Sequence, residues 1–578
     1  MKKNITLLII ILAAAGIWNS CSEDFLNITP KGSLDKTVLA NEEGIDYLLI
    51  GAYSMLDGIS SQFGWEAASS NWVYGDIRGM TGNKGTDAGD QPDINPLQTF
   101  SETSTNPYLN VKWRAVYESV SRCNSAIDVT NEALSAGTIT ADQAESFIKQ
   151  ARALRGWYHF EAWRMWEKVP YIDETTDAIN ATNDADIRPN IIADLTEGTT
   201  LPNNMGQVGR FNGTVCKVLL AKALMQMNKD YAAALPLLES AKTGTKPNGQ
   251  PIGLAPTYGE VFDIVNRNGI ESVFTVQYSV NDGSGGYNGG WGEVLNFPYK
   301  GGASPGGCCG FFQATQELVN SFRTSAGLPL LDNTYNDDPV LSDQGLAPSD
   351  NSYVEDPGPL DPRLDWTVGR RGIPYWDWGI HTGSDWIRDQ SYAGPFSPKK
   401  QVYKKSQEGQ YTEVGNWTSG WTANGYRMVR YADILLLIAE CQIETGDLDG
   451  ARDNINLIRA RAANPAGFVM EDDGVTPAAN YVIAEYPATG YPFDTQANAR
   501  IALRMERKLE LGMEGHRWFD LNRWGITQAE LSRVLAYEKT MPWGNSMYGT
   551  NTVGPEDVTF PIPQRQIDLS NGKIQQNR

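Results

Sequence analysis

The chain has 578 residues, 41% of them hydrophobic and 20% charged, which is enough length and apolar content to bury a large core. Its formal net charge is −21, and removing the first twenty residues, whose only charges are Lys2 and Lys3, makes it −23, so nucleic acid and other polyanions are poor partners. Past residue 20 no apolar run nears the roughly 20 residues that a bilayer-spanning helix needs.

At the start, Lys2 and Lys3 precede an apolar run from Ile5 to Ile17, and small or polar residues then lead to Cys21, the layout of a secretory signal over residues 1–20. A thiol at the cleavage point can be diacylated, which makes Cys21 the mature N-terminus and tethers a soluble chain to a membrane. Trp18 stands three places before Cys21, where bacterial lipoprotein signals usually carry an aliphatic residue. Acidic Glu23 and Asp24 resemble the signals that send such lipoproteins to the cell surface. Beyond Cys21 the cysteines number five, at 123, 216, 308, 309 and 441, without CxxC spacing, which argues against a metal knuckle or a disulfide framework.

From about residue 36 to 275, and again from about 425 to 535, the pattern is helical. Thr140 and Gln143 form a capping box, and Phe147, Ala151, Leu154, Tyr158 and Met165 follow at steps near 3.6, predicting a long amphipathic helix that ends before Pro170. Asp230-Tyr231 with Ala234, and Asp447-Leu448 with Ala451, share one spacing, each after a helix and a short turn. Small residues there let two helices approach closely, the logic of tetratricopeptide (TPR)-like hairpins. Between about 276 and 424 the sequence turns glycine-, proline- and aromatic-rich without sustained period, which predicts loops carrying the working surface on a helical scaffold.

Several ordered blocks resemble the SusD/RagB family of nutrient-uptake outer-membrane lipoproteins. They begin with Asp24-Phe25-Leu26-Asn27-Ile28-Thr29-Pro30 and continue through Ala151-Arg152-Ala153-Leu154-Arg155 and Trp157-Tyr158-His159-Phe160. Later come Arg430-Tyr431-Ala432-Asp433, Asn456-Leu457-Ile458-Arg459, Glu506-Arg507, Glu514-Gly515-His516-Arg517, Arg523-Trp524-Gly525 and Phe560-Pro561-Ile562-Pro563. The resemblance implies a mainly α, SusD-like fold in which residues 21–578 form a single domain, with four TPR-like helical hairpins as scaffold and a large loop-rich binding region. It also implies a protein on the outer membrane facing the cell exterior, which closes as a lid over oligosaccharide or polysaccharide on a SusC-like TonB-dependent transporter. Such a protein is not an enzyme and needs no cofactor.

Glycan recognition calls for aromatic rings flanked by polar groups, since a pyranose lays a face of C–H groups on a ring and turns its hydroxyls to the edge. Residues 63–93 offer Phe63, Trp65, Asn71, Trp72, Tyr74, Asp76, Arg78, Asn83 and Lys84; residues 287–312 offer Tyr287, Asn288, Trp291, Asn296, Phe297, Tyr299, Phe311 and Phe312. Trp72, Trp291 and Tyr287 are the first choices for the platform. Cys308 and Cys309, adjacent in a glycine-rich run, form either a vicinal disulfide beside it or two free thiols in a tight turn. Trp376, Trp378 and Trp386 with Arg370, Arg371 and Arg388 make a second cluster that serves either ligand or transporter.

A catalytic reading pairs Glu510 with Glu514 as acid and base, but each has an Arg within helical reach, which lowers a carboxyl pKa and favours a structural ion-pair network. His159, His381 and His516 are too scattered for a transition-metal site, and Asp76, Asp87, Asp90 and Asp93 lack the spacing of a calcium loop. The competing functions are a peptide-binding, RagB-like uptake protein and a surface glycoside hydrolase.

Overall fold

A computed structural model of the chain describes residues 36–578 apart from 60–62, 301–303 and 416, so the leader and Cys21 lie outside the described residues. The longer helices of the first half are α1 (Glu42–Ser54), α2 (Pro107–Ala136), α3 (Ala141–Trp166), α4 (Arg188–Gly198), α5 (Gly213–Ala223) and α6 (Tyr231–Lys242). Those of the second half are α7 (Tyr431–Thr445), α8 (Leu448–Ala462), α9 (Gln496–Leu511), α10 (Arg517–Trp524) and α11 (Thr527–Glu538). The fold is mainly helical.

Local chemistry sets the helix ends. Asn106 caps α2 through its side chain, with Pro107 at the first turn, and Gly137 closes it in the left-handed region at φ 72°. The capping box of Thr140 and Gln143 starts α3, as the spacing predicts, and the helix stops at Trp166. Asp230 and Asp447 cap α6 and α8 with the same geometry, accepting from Ala233 N and Gly450 N. Ala234 and Ala451, one turn further on, are completely buried, which lets α5 and α6, and α7 and α8, pack as close antiparallel pairs. The helices continue as a stack, with α2 on α3, α3 on α4, α6 on α7 and α7 on α9.

The helical expectation over 36–275 overreaches in two places. Residues 65–106 form short turns, one strand and a five-residue helix, Ile94–Gln98, and the first helical block ends at Lys242, after which the chain runs irregularly. The strands are two to four residues long and include β1 (Gly82–Gly85), β2 (Ser272–Phe274), β3 (Phe311–Ala314), β4 (Thr412–Glu413), β5 (Trp421–Thr422) and β6 (Val429–Arg430). They pair antiparallel as β1 with β3, β2 with β6 and β4 with β5, the last in the register Thr412↔Thr422 and Glu413↔Trp421. With so little sheet, the loop-rich half depends on side chains for its shape. One apolar cluster of buried residues runs from Leu49 to Ile562 and joins both helical blocks to the loops between them.

Charge completes the interior. Arg430, where β6 runs into α7, donates to Glu514 at 2.8 and 2.9 Å, to Glu510 at 2.7 Å and to Glu271 at 2.7 Å. Arg363 and Arg461 also donate to Glu510, Arg459 to Glu506 at 3.0 Å and Lys400 to Glu514 at 2.7 Å, all of them buried. Burial alone raises a carboxyl pKa, but Arg430 and Lys400 more than offset it and hold Glu514 at about 2. Glu510 is held far below the usual range by Arg461, Arg430 and Arg363. The ion-pair reading of Glu510 and Glu514 is therefore the observed one.

Removing one partner strands the others in a dry interior. Arg430→Ala is expected to cost about 3–5 kcal/mol by urea unfolding, whereas Lys36→Ala, in an exposed pair with Asp128, costs less than about 1 kcal/mol. The folded pKa of Glu514 is depressed from its ordinary 4.5 to about 2, so its contribution is complete above pH 4.5 and disappears as pH falls towards 2. Urea midpoints measured across that window should fall more steeply for the wild type than for Glu514→Gln.

Candidate functional site

Trp65 opens one tight turn, Trp65–Ala67, and Trp291 opens another, Trp291–Glu293. The turns pack so closely that a Cβ on Gly292 would sit 2.8 Å from the Cβ of Ala68. The Trp65 ring lies 14° from parallel with that of Trp291, centroids 6.3 Å apart, and the Tyr287 ring stacks on Trp291 at 5.2 Å and 7°. A further ring, Trp421 of β5, stacks at 5.3 Å and 20°, and Trp417 stands edge-on to Trp421. Tyr287 is 53% exposed and Trp417 42%; Trp65 and Trp291 are half-buried and Trp421 is buried.

The supports of this array are specific. Gly286, at φ 87°, carries the loop across Trp421 so closely that a Cβ there would meet the indole at 2.2 Å. Trp65 Nε1 donates to Gln91 Oε1 at 3.3 Å, an oxygen that also accepts from Tyr108 Oη at 2.8 Å. Tyr278 Oη reaches Glu293 at 3.1 Å and Ser69 at 2.7 Å, and burial raises the pKa of Glu293. At the polar edge, exposed Asn288 donates to Asp282 at 2.9 Å and lines a groove of about 370 Å³ with Ser279 and Gln277. Hydrogen bonds from Asn288 and Ser284 hold the Asp282 carboxyl well below its usual range. Parallel rings with amide and carboxylate edges suit a flat ligand with an apolar face and hydroxyl rim.

Several expected site residues are instead interior. Trp72, Tyr74, Asp76 and Arg78 are at most 1% exposed, and Asn71 4%, because residues 72–77 form one π-helical turn packed wholly inside. Arg78 pairs with Glu102 at 2.9 Å and Asp557 at 2.8 Å; Asp76 accepts from Thr81 and Gly515; Asn71 donates to Glu161. Phe311 is fully buried in β3 against Trp72, and Phe63, Asn83, Lys84, Asn296, Phe297 and Phe312 are buried too. Trp72 and Tyr74 act from beneath: Trp72 Nε1 donates to Gly292 O at 3.1 Å and Tyr74 Oη to Glu66 O at 2.7 Å, bracing the two turns that carry the rings.

Cys308 and Cys309 are joined in a vicinal disulfide. Its turn packs on Phe297, with Gly306 against that ring, and Gly306 O accepts from Ser419 N at 3.2 Å and Thr418 Oγ1 at 2.8 Å, between Trp417 and Trp421, so the disulfide turn adjoins the array as expected. The second tryptophan cluster is present as one apolar group: Trp386 is buried beside Tyr375 and His381, and Trp376 and Trp378 pack against the same group, Trp376 also on Trp366 and Trp378 on Tyr403. Asp87 and Asp90 pair with Arg388, and no group of three or more metal-ligating side chains occurs among the described residues. A separate cleft of about 800 Å³, lined by Trp163, Lys168, Arg188 and Lys229 among others, shares no residue with the array.

Comparison with known proteins places this geometry. A sequence model of the SusD family matches residues 270–578. The chain belongs to the SusD family. A SusD-like protein P2 of Formosa agariphila is 22% identical over all of this chain and 99% of its own. Among solved structures, a laminarin-binding SusD-like protein superposes with a TM-score of 0.64 at 19% identity, covering 93% of this chain and 99% of that one. The surface glycan-binding protein A of Bacteroides thetaiotaomicron, in complex with laminarihexaose, gives 0.62 at 21% identity over the same shares.

In this SusD-family chain several charged residues of the blocks that carry the resemblance are interior among the described residues. Arg430, Glu506 and Glu514 lie in the ion network, and Arg523 pairs with Glu440 at 2.8 Å. Trp417 and Trp421 escaped the sequence reading, although Gly415-Asn416-Trp417 and Gly420-Trp421 repeat the glycine-flanked setting of Trp291. Trp72→Ala is expected to lower stability by about 3–5 kcal/mol, while Tyr287→Ala changes it by no more than about 0.5 kcal/mol, both read from urea unfolding.

Proposed function

We propose that this chain is a cell-surface glycan-binding lipoprotein, anchored in the outer membrane through Cys21 and facing the exterior. It captures oligosaccharide or polysaccharide and closes as a lid on a SusC-like TonB-dependent transporter. The observation that carries the reading is the array of Trp65, Tyr287, Trp291 and Trp421, whose planes lie within 20° of Trp291, with Tyr287 and the adjoining edge-on Trp417 reaching solvent. Stacked rings hide the apolar face of a sugar while Asn288 and Asp282 at the edge take its hydroxyls. The laminarin-binding and laminarihexaose-bound relatives of the same fold support a glycan as the ligand class. The carboxylates best spaced for acid–base work, Glu510 and Glu514, are buried and held ionised by arginines, which favours capture over hydrolysis.

Calorimetry against plant and host polysaccharides and mixed peptides tests this. A polysaccharide should bind without being cleaved, and Tyr287→Ala should weaken it at least about tenfold, or about 1.4 kcal/mol, at unchanged melting temperature. Binding of peptides alone overturns the glycan reading, and release of shorter sugars overturns the non-enzymatic one. Cys21→Ala should move the protein from the membrane fraction to the soluble one, and the wild type should copurify with a barrel transporter from its native membrane.

A further inference from the structure

The three segments that build the ring array share a property of charge. Residues 37–77, 268–299 and 406–426 contain no Lys or Arg and eleven Asp or Glu. Three of those carboxylates edge the rings. Glu66 Oε2 and Trp291 Nε1 each lie 3.1 Å from the point where a Cβ on Gly64 would sit, so the carboxylate neighbours the indole edge. Asp282 accepts from Asn288, the residue after Tyr287, and Glu413 is the cross-strand partner of Trp421 while accepting from Asn281 N at 2.8 Å. Cations from neighbouring elements are engaged elsewhere: Arg210 of the adjoining groove pairs with Asp46 at 2.7 Å, and Arg114 lies over the Phe63 ring at 5.0 Å.

A sulfate or uronate needs a guanidinium, an ammonium or a cluster of free N–H donors. Here an anionic ligand laid on the rings meets three carboxylates at their edge instead, and such repulsion acts over a Debye length of about 10 Å at 0.1 M salt. Sugar hydroxyls, in contrast, donate well to carboxylate acceptors. We infer that the array selects uncharged glycans and rejects glycans bearing sulfate or uronate groups. The inference rests on the glycan-binding reading above and adds the class of glycan to it.

The test compares laminarin, dextran and xylan with their chemically sulfated derivatives, and plant and host polysaccharides of both charge classes, by affinity electrophoresis and calorimetry. In 10 mM salt an uncharged glycan should bind and its sulfated form should bind at least about tenfold more weakly. That ratio should narrow in 0.5 M salt. The double variant Glu66→Gln, Glu413→Gln keeps hydrogen-bond acceptors at both positions and leaves Asp282 in place. With an unchanged melting curve, it should recover about tenfold in affinity for the sulfated form and move uncharged binding less than about threefold. A sulfated or uronate glycan that binds the wild type more tightly than its uncharged counterpart, and is lost in Tyr287→Ala, overturns the charge selection and leaves the glycan reading standing. If no glycan of either class binds, or Tyr287→Ala changes nothing, the array is not the site and both readings fall.

Discussion

The structure depends on the ion network around Arg430. Bringing a single charge into a dry interior is costly, and a lone pair seldom recovers that cost. Here Arg430 faces three carboxylates, and Glu510 among them also faces Arg363 and Arg461, so each charge is held by several others. Its members come from far apart: Glu271 just before β2, Arg363 and Lys400 in the loop-rich half, Arg430 between β6 and α7, Arg459 and Arg461 in α8, Glu506 and Glu510 in α9 and Glu514 just after α9. Long segments without sheet or helix are thereby fixed to the helical scaffold by charge. Lys399 extends the same device, donating to the carbonyls of Asp365 and Pro374 from a buried position.

That rigidity is what the ring array needs. Its rings come from three segments, around Trp65, from Tyr287 to Trp291, and around Trp421, and none of these has a long helix or broad sheet of its own. Parallel stacking survives thermal motion only if the backbones beneath are immobile. Trp72 and Tyr74 hold the two tight turns from below, Gly286 threads past the indole of Trp421, and the short β4–β5 hairpin sets that indole in register.

What was legible in the sequence was local physics. The capping box at Thr140 depends on a residue three positions away, and the spacing of Asp230 with Ala234 and of Asp447 with Ala451 marks two close helix pairs; the structure has all three. The glycine-rich setting of Tyr287 and Trp291 likewise marked loop-borne rings. Burial of aperiodic segments is not local, however. Trp72, Tyr74, Asp76 and Arg78 sit in a loop-like stretch, yet Arg78 pairs with Asp557 and Asp76 accepts a hydrogen bond from Gly515 N, partners more than four hundred residues away. A polar, glycine-flanked sequence looks the same whether it lines a surface or plugs an interior.

The division between network and array has an evolutionary consequence. The charged interior and the rings share no residue, and the rings lie on segments that start and end on the fixed frame. The exposed rings Tyr287 and Trp417 and the edge chemistry can therefore drift while the folded frame is untouched. A lineage can acquire a taste for a new polymer by exchanging a few loop residues, and a laboratory can graft the same loops between scaffolds.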